Sequence, residues 1–160
     1  MKKLSLSLVF ILFFWPAFSH EGQLADKLLS FLSMNPNDAT PEQANTFLGK
    51  PDTIEKSNKQ NVWRYNSPDE KLVIYWDNKA AKLQKLEFNK MAETAKTTLD
   101  NTLPYRLKSG ITAMQDAIKL LGFPKGLTIK GANQEMHYFF KNNTLNLFFR
   151  KGTLVNYTLF

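Results

Sequence analysis

The chain has no cysteine, and that single absence excludes a disulfide-stapled scaffold, a thiolate metal site and a cysteine nucleophile. Histidine is nearly absent as well, with only His20 and His137. Glycine and proline number seven each in 160 residues, far below the share found in low-complexity or collagen-like chains. Acidic side chains are the scarcer sign, 14 against 21 Lys and Arg, for a formal charge of +7. What is plentiful is aromatic: 13 Phe, with 43% of all residues hydrophobic. Such a composition can offset the entropy lost on ordering, so the chain is expected to pack a core.

The longest apolar run, Leu4 to Trp15, follows Lys2 and Lys3 and precedes Ala17-Phe18-Ser19. A short basic start, an apolar stretch and a small-residue cut site are the three parts of a secretory signal. The run is too short to span a bilayer comfortably, which takes about 20 residues. Cleavage is therefore expected after Ser19, with no cysteine at the cut to carry lipid. The mature chain would have 141 residues and, with 19 basic against 14 acidic side chains, a charge of +5. These features predict a periplasmic or secreted protein with no transmembrane helix in its mature form. Without disulfides its stability must come from a core and backbone pairing.

The halves of the chain resemble one another at an offset of 73 residues. Thr46-Phe47-Leu48-Gly49-Lys50-Pro51 lies over Lys119-Leu120-Leu121-Gly122-Phe123-Pro124, and without a gap Ala44 falls on Ala117, Ile54 on Leu127, Trp63 on Met136 and Tyr65 on Tyr138. Leu72, Ile74 and Trp76 fall on Leu145, Leu147 and Phe149, and Leu86 on Leu159. The pattern predicts an α+β protein of two tandem repeats, each with one or two helices packed on a four-stranded antiparallel sheet. The expected division is 1–19 signal peptide, 20–88 first repeat, 89–104 linker or short helix and 105–160 second repeat.

Within each unit the period changes from helical to alternating. Leu24, Leu28, Phe31 and Leu32 recur at helical spacing up to Asn35-Pro36. A second helix should start at Thr40-Pro41-Glu42-Gln43, where Thr40 caps free amides, Pro41 suits the first turn and Gln43 sits three residues on. Gly49 and Pro51 close it. Ile111, Met114, Ala117, Ile118 and Leu121 make the matching stripe in the second half, closed by Gly122 and Pro124. Strands are predicted at 53–57, 60–66, 70–77, 82–88, 127–131, 134–140, 144–150 and 154–160.

Thr40-Pro41-Glu42-Gln43-Ala44, then Leu48-Gly49-Lys50-Pro51, then Trp63-Arg64-Tyr65 give the chain its family likeness. In that order and spacing it resembles the SmpA/OmlA small outer-membrane proteins, and as a duplicated secreted chain it is similar to the β-lactamase inhibitor protein-like fold. The likeness covers most of 38–88 and, more faintly, 111–160. It implies helices on one face of an antiparallel sheet and protein partners on the other. The chain departs from these proteins in lacking both the lipid-bearing cysteine and the disulfides, so no specific role carries over.

Alternation separates two faces independently of any family. Trp63, Tyr65, Leu72, Ile74, Trp76, Leu86 and Phe88 share one side, with Met136, Tyr138, Phe140, Leu145, Leu147, Phe149, Val155, Tyr157 and Leu159 in the second half; that side belongs under the helices. The other carries Val62, Arg64, Val73, Tyr75 and Lys85, then His137, Phe139, Asn146, Phe148, Leu154 and Asn156. Aromatic and basic residues on a sheet's open side are informative, since these types are enriched at binding hot spots. Arg64, Tyr75, Lys85, His137, Phe139 and Phe148 are therefore the candidate partner-binding residues. The competing reading is that the two sheets pack on each other or on the interdomain linker and bury them, or enclose a cleft holding a small apolar ligand or lipid.

Catalytic chemistry finds few footholds. There is no G-x-S-x-G, H-E-x-x-H, P-loop or G-x-G-x-x-G motif, and nothing calls for a cofactor. Glu135 and His137 share a strand face but read as a solvated surface, and Asp69-Glu70 read as turn chemistry. His20 would become the N-terminal residue after cleavage and could then chelate copper, but copper enzymes of that kind use a second histidine on a large β-sandwich, and this chain offers one candidate, His137, on a different architecture. The basic residues, among them Lys56, Lys59, Lys71, Lys79, Lys82, Lys85 and Lys90, are spread rather than clustered, which argues against nucleic acid. The function expected is a non-enzymatic module binding an envelope or extracellular protein.

Overall fold

A computed structural model describes residues 23–34, 38–91, 98–99, 102 and 106–160. The expected signal peptide, the copper reading at His20 and most of the expected linker helix lie outside the described residues. Three helices are seen among them: α1 (Gln23–Leu32), α2 (Pro41–Leu48) and α3 (Met114–Leu121). The strands are β1 (Thr53–Lys56), β2 (Gln60–Asn66), β3 (Glu70–Asp77), β4 (Leu83–Lys90), β5 (Gly126–Lys130), β6 (Asn133–Phe139), β7 (Thr144–Arg150) and β8 (Thr153–Leu159).

All eight strands join in one antiparallel sheet in sequence order. This replaces the expectation of two four-stranded sheets. The join is made by β4 and β5, where Leu86 lies opposite Ile129 and Phe88 opposite Leu127. All four side chains are at most 1% exposed, so leaving β4 and β5 as separate edges would return them to water. With a single sheet there is no sheet-on-sheet packing and no cleft between two sheets.

The helices cover one face. Leu24, Leu28, Phe31 and Leu32 of α1 are buried against Leu72, Ile74, Trp76, Leu86 and Phe88, and the core runs on without a break through Met114, Ala117, Ile118, Met136, Leu145, Leu147 and Phe149. Trp63 meets Trp76 edge-on at 5.6 Å between ring centroids. The start of α2 has the expected form: Thr40 Oγ1 accepts the Gln43 N–H at 3.3 Å while Gln43 Oε1 accepts the Thr40 N–H at 2.9 Å.

Corresponding features recur in the two halves. Gly49 closes α2 at φ 82°, and Gly122 closes α3 at φ 80°. Asp52 N–H donates to Arg64 O, and Lys125 N–H to His137 O, both at 2.9 Å. A register shift between Tyr75 and Trp76 of β3 leaves Gln84 as an extra residue on β4, and one between Phe148 and Phe149 of β7 leaves an extra residue on β8. The last hairpin differs: six residues, Asp77 to Lys82, separate the paired Trp76 and Leu83, against four, Arg150 to Thr153, between the paired Phe149 and Leu154. Register therefore sets Leu86, opposite Ile74, in correspondence with Tyr157, opposite Leu147, instead of with Leu159.

The bulge also corrects β8. Phe149 pairs with Leu154 and Phe148 with Asn156, leaving Val155 as the extra residue. Leu154, expected on the open side, is fully buried, whereas Val155, expected in the core, is 51% exposed. Leu159 faces the helix side but lies at the sheet margin, 42% exposed. Ile111 falls before α3 instead of on its apolar stripe and is 73% exposed.

Candidate functional site

No described element covers the face of the sheet opposite the helices. Register lays its residues in rows. One row runs Glu55, Val62, Tyr75, Lys85, Lys130, Asn133 and Arg150; the next runs Thr53, Arg64, Val73, Glu87, Thr128, Glu135 and Phe148. His137 and Asn146 follow in a third row, and Phe139 stands opposite Thr144 in a fourth. All six sequence-predicted residues are on this face, but they divide into two groups. Arg64, Tyr75 and Lys85 stand on β2 to β4; His137, Phe139 and Phe148 stand on β6 and β7. Tyr75 and Phe148 are four strands apart, about 19 Å at the usual interstrand spacing.

The first group is held by charge and ring contacts. Arg64 Nε donates to Glu55 Oε1 at 2.9 Å, and Nη2 to Oε2 at 3.2 Å, a two-point guanidinium–carboxylate pair. The paired guanidinium holds the Glu55 carboxyl below its ordinary range, and Glu55 in turn raises Arg64. Tyr75 Oη donates to Glu87 Oε2 at 3.0 Å, and Lys85 Nζ reaches Glu87 Oε1 at 2.7 Å. Lys85 also stands 5.5 Å from the Tyr75 ring centroid. The Lys85 hydrogen bond lowers Glu87 most, against a partial desolvation that raises it, and the Tyr75 bond lowers it further. Burial raises the Tyr75 phenol first, with the Glu87 hydrogen bond second.

In the second group, His137 Nδ1 and Asn146 Oδ1 lie 2.9 Å apart, and Nε2 is 3.5 Å from Glu135 Oε1. The His137 ring sits over Gly126, where an added Cβ would meet its Cδ2 at 3.2 Å. Phe148 lies opposite Glu135, and Phe139 is 52% exposed at the corner of the face.

Sequence reasoning missed Glu55, Glu87 and Gly126. The same alternation that selected Lys85 places Glu87 beside it, and a pairing rule of opposite charges across strands would have found Glu55 against Arg64. The basic character assigned to Arg64 and Lys85 is neutralised by these two acids. The face thus presents aromatic rings and charged side chains, with Arg64 and Lys85 paired to acids. Among the described residues no group of three or more His, Asp or Glu could hold a metal ion.

Glu70 does more than the turn expected of it. Its backbone closes the turn, accepting the Ser67 N–H at 2.8 Å and donating to Ser67 Oγ at 3.1 Å, while the residue begins β3 on the helix side, 1% exposed. Its Oε2 accepts the N–H groups of Leu24 and Ala25, each at 3.1 Å, and Oε1 lies 3.8 Å from Lys90 Nζ. The carboxylate thereby satisfies amides in the first turn of α1, where a negative charge is favoured.

Two adjoining cavities lie between α1 and α3 on the other side of the sheet. One, of about 550 Å³, is lined by Leu32, Met34, Met114 and Gln134; the other, of about 410 Å³, by Leu29, Ile118 and Phe123. Ser33 and Gln115 border both.

No family profile matches the sequence, and no curated protein does. The fold is that of an α+β protein similar to a Streptococcus mutans crystal structure described as a "putative beta-lactamase inhibitor protein". The two share 17% identity at a TM-score of 0.58, over 85% of this chain and 96% of that one. A second match, the DUF4309 family protein YjgB from Bacillus subtilis, has 10% identity and a TM-score of 0.28 over 86% of this chain and 95% of that one.

Proposed function

We propose that the protein is an exported, non-enzymatic binding module that recognises an envelope or extracellular protein through the open face of its sheet. The observation that carries this reading is the face itself: eight strands wide, uncovered by any described element, and set with Tyr75, Phe139 and Phe148 among paired charges. Large aromatic side chains on a sheet surface are costly to leave in water and are typical anchors of protein interfaces. The fold likeness to a protein described as a β-lactamase inhibitor is consistent with a binding role. The Lys2-Lys3 start, the Leu4 to Trp15 run and the Ala17-Phe18-Ser19 cut site support export to the periplasm or outside the cell.

The module consists of two helix-plus-four-strand units of SmpA/OmlA type, 20–88 and 105–160, joined through 89–104. The corresponding glycine caps, the paired Asp52 and Lys125 amide bonds and the two bulges support this duplication. The test is recovery of partner protein from the envelope fraction by the wild type and by a Tyr75→Ala, Phe148→Ala double variant. The variant should keep its circular dichroism and lose recovery at least tenfold; equal recovery by a folded variant contradicts the reading.

A second reading, a carrier of a small apolar ligand, moves from the absent inter-sheet cleft to the two cavities between α1 and α3, whose Leu, Ile, Met and Phe linings suit an acyl chain. Native mass spectrometry of the purified protein decides it: a co-purifying small molecule supports the carrier, and the bare polypeptide mass counts against it.

A further inference from the structure

An open sheet has two edges, and this one treats them differently. β1 is four residues long, contains Glu55 and Lys56 and follows Lys50-Pro51-Asp52. Shortness, charge and a nearby proline are the devices that keep an edge from pairing with another strand. β8 has seven residues, and the stretch from Thr153 to Phe160 holds no charged side chain and no proline.

Part of the β8 edge is already covered. Gly110 N–H donates to Leu154 O at 2.7 Å, Leu154 N–H to Thr112 O at 2.8 Å and Met114 N–H to Gly152 O at 2.8 Å. Ser109 Oγ closes on Val155 O at 2.7 Å. Beyond Val155 no described segment lies along the strand. Thr144 and Phe160 exchange two backbone hydrogen bonds of 3.0 Å. By the two-residue period, Thr158 and Asn156 also turn their backbone groups to β7, and Tyr157 and Leu159 turn theirs outward. Of the nine large hydrophobic residues exposed on the described surface, Phe139, Leu159 and Phe160 lie at this open end, and Ile111 and Val155 lie further along the same margin of the sheet. Phe139 and Phe160 flank Thr144 across adjacent strands.

We propose that the 156–160 edge of β8 pairs antiparallel with the same edge of a second copy, extending the sheet across a two-fold axis at Thr158. Tyr157 of each copy then stands opposite Leu159 of the other, and four backbone hydrogen bonds form between those residues once each Tyr157 N–H exchanges its 2.9 Å bond to Asn156 Oδ1 for the Leu159 carbonyl of the other copy. The edge is self-complementary: apolar meets apolar, and no charge meets a like charge. Elsewhere a chain of formal charge +7 repels its own copy. A charged partner would find nothing to pair with on this strand, which favours a second copy over an acidic protein. A closed two-fold contact is also the commonest form of self-association.

The absence of cysteine makes a direct test available. At the two-fold axis Thr158 faces Thr158 as a non-hydrogen-bonded pair, with Cα atoms about 4.5 Å apart, within disulfide reach. Thr158→Cys should therefore form a covalent dimer on mild oxidation of the protein as purified from the envelope fraction, while Thr53→Cys on β1 stays monomeric. Light scattering after size exclusion should give two copies per particle, with no larger species as concentration rises. Leu159→Pro removes an outward N–H without touching the β7 ladder; it should raise the half-dimerisation concentration about tenfold or more. A single copy at every concentration, open-ended growth in mass, or equal cross-linking of the two cysteine variants would each overturn the proposal. If Leu159→Pro fails to fold, the cysteine pair still decides.

Discussion

Single side chains in this protein do distinct kinds of work. Glu70 lies nearly out of water and holds two amides of α1, so its loss would leave those donors unsatisfied beside the core. Glu70→Ala should lower the unfolding free energy by about 2 kcal/mol in urea denaturation, and Glu70→Gln by less, because one acceptor oxygen survives. Glu87 contributes through charge. Its folded value lies below that of the unfolded chain, so its stabilisation is complete above the unfolded carboxylate value of about 4.3 and is lost as the pH falls through the lower folded value. Stability of the wild type measured from pH 6 down to about pH 2 should accordingly fall more steeply at the acid end than that of Glu87→Gln; parallel curves would show that Glu87 has no such linkage. Neither residue was legible in advance. Glu70 reads as a turn residue because nothing local in Asp69-Glu70 announces a helix start 45 residues upstream, and Glu87 is one acid in a strand of mixed charge.

Elements, by contrast, were largely legible, because their signals are local. The Thr40-Pro41-Glu42-Gln43 start and the two glycine ends act over three or four residues, and the strand alternation over seven. Gly49 and Gly122 occupy φ near +80° with ψ near 180°, a region essentially closed to residues with a Cβ. No neighbour would meet the added methyl group, so Gly49→Ala and Gly122→Ala should each cost about 1–3 kcal/mol through the backbone alone. Equal shifts in the urea midpoint are the expected outcome. The elements that misled did so for identifiable reasons. The β8 bulge at Val155 exchanges Leu154 for Val155 in the core, and a bulge has no signature in a run such as Thr153-Leu154-Val155. The shorter second hairpin sets Tyr157, and not Leu159, opposite Leu147, two residues off the ungapped offset that places Leu86 on Leu159. Ile111 keeps helical spacing from Met114 but precedes the first turn.

At the scale of the whole molecule, the feature least legible in the sequence is the seam between β4 and β5. It joins strands separated by 35 residues, and no local pattern states which edge a strand will find. The seam converts two sheets into one and thereby leaves the open face open. It also makes the halves depend on one another. Phe88 is buried opposite Leu127, and Phe123 meets its ring edge-on at 5.2 Å between centroids. Phe88→Ala should cost about 3–5 kcal/mol, and unfolding followed by tryptophan fluorescence and by circular dichroism should coincide in one transition. Since Trp63 and Trp76 report on the first half, a fluorescence change that precedes the loss of sheet signal would show that the halves unfold separately. The open face and its partner are tested most directly by hydroxyl-radical footprinting, read by mass spectrometry, of the purified protein alone and in the complex recovered from the envelope. The account predicts that Tyr75, Phe139 and Phe148 are oxidised in the free protein and protected at least severalfold in the complex, with Ile54 unchanged. Equal labelling of the three in both states would contradict it.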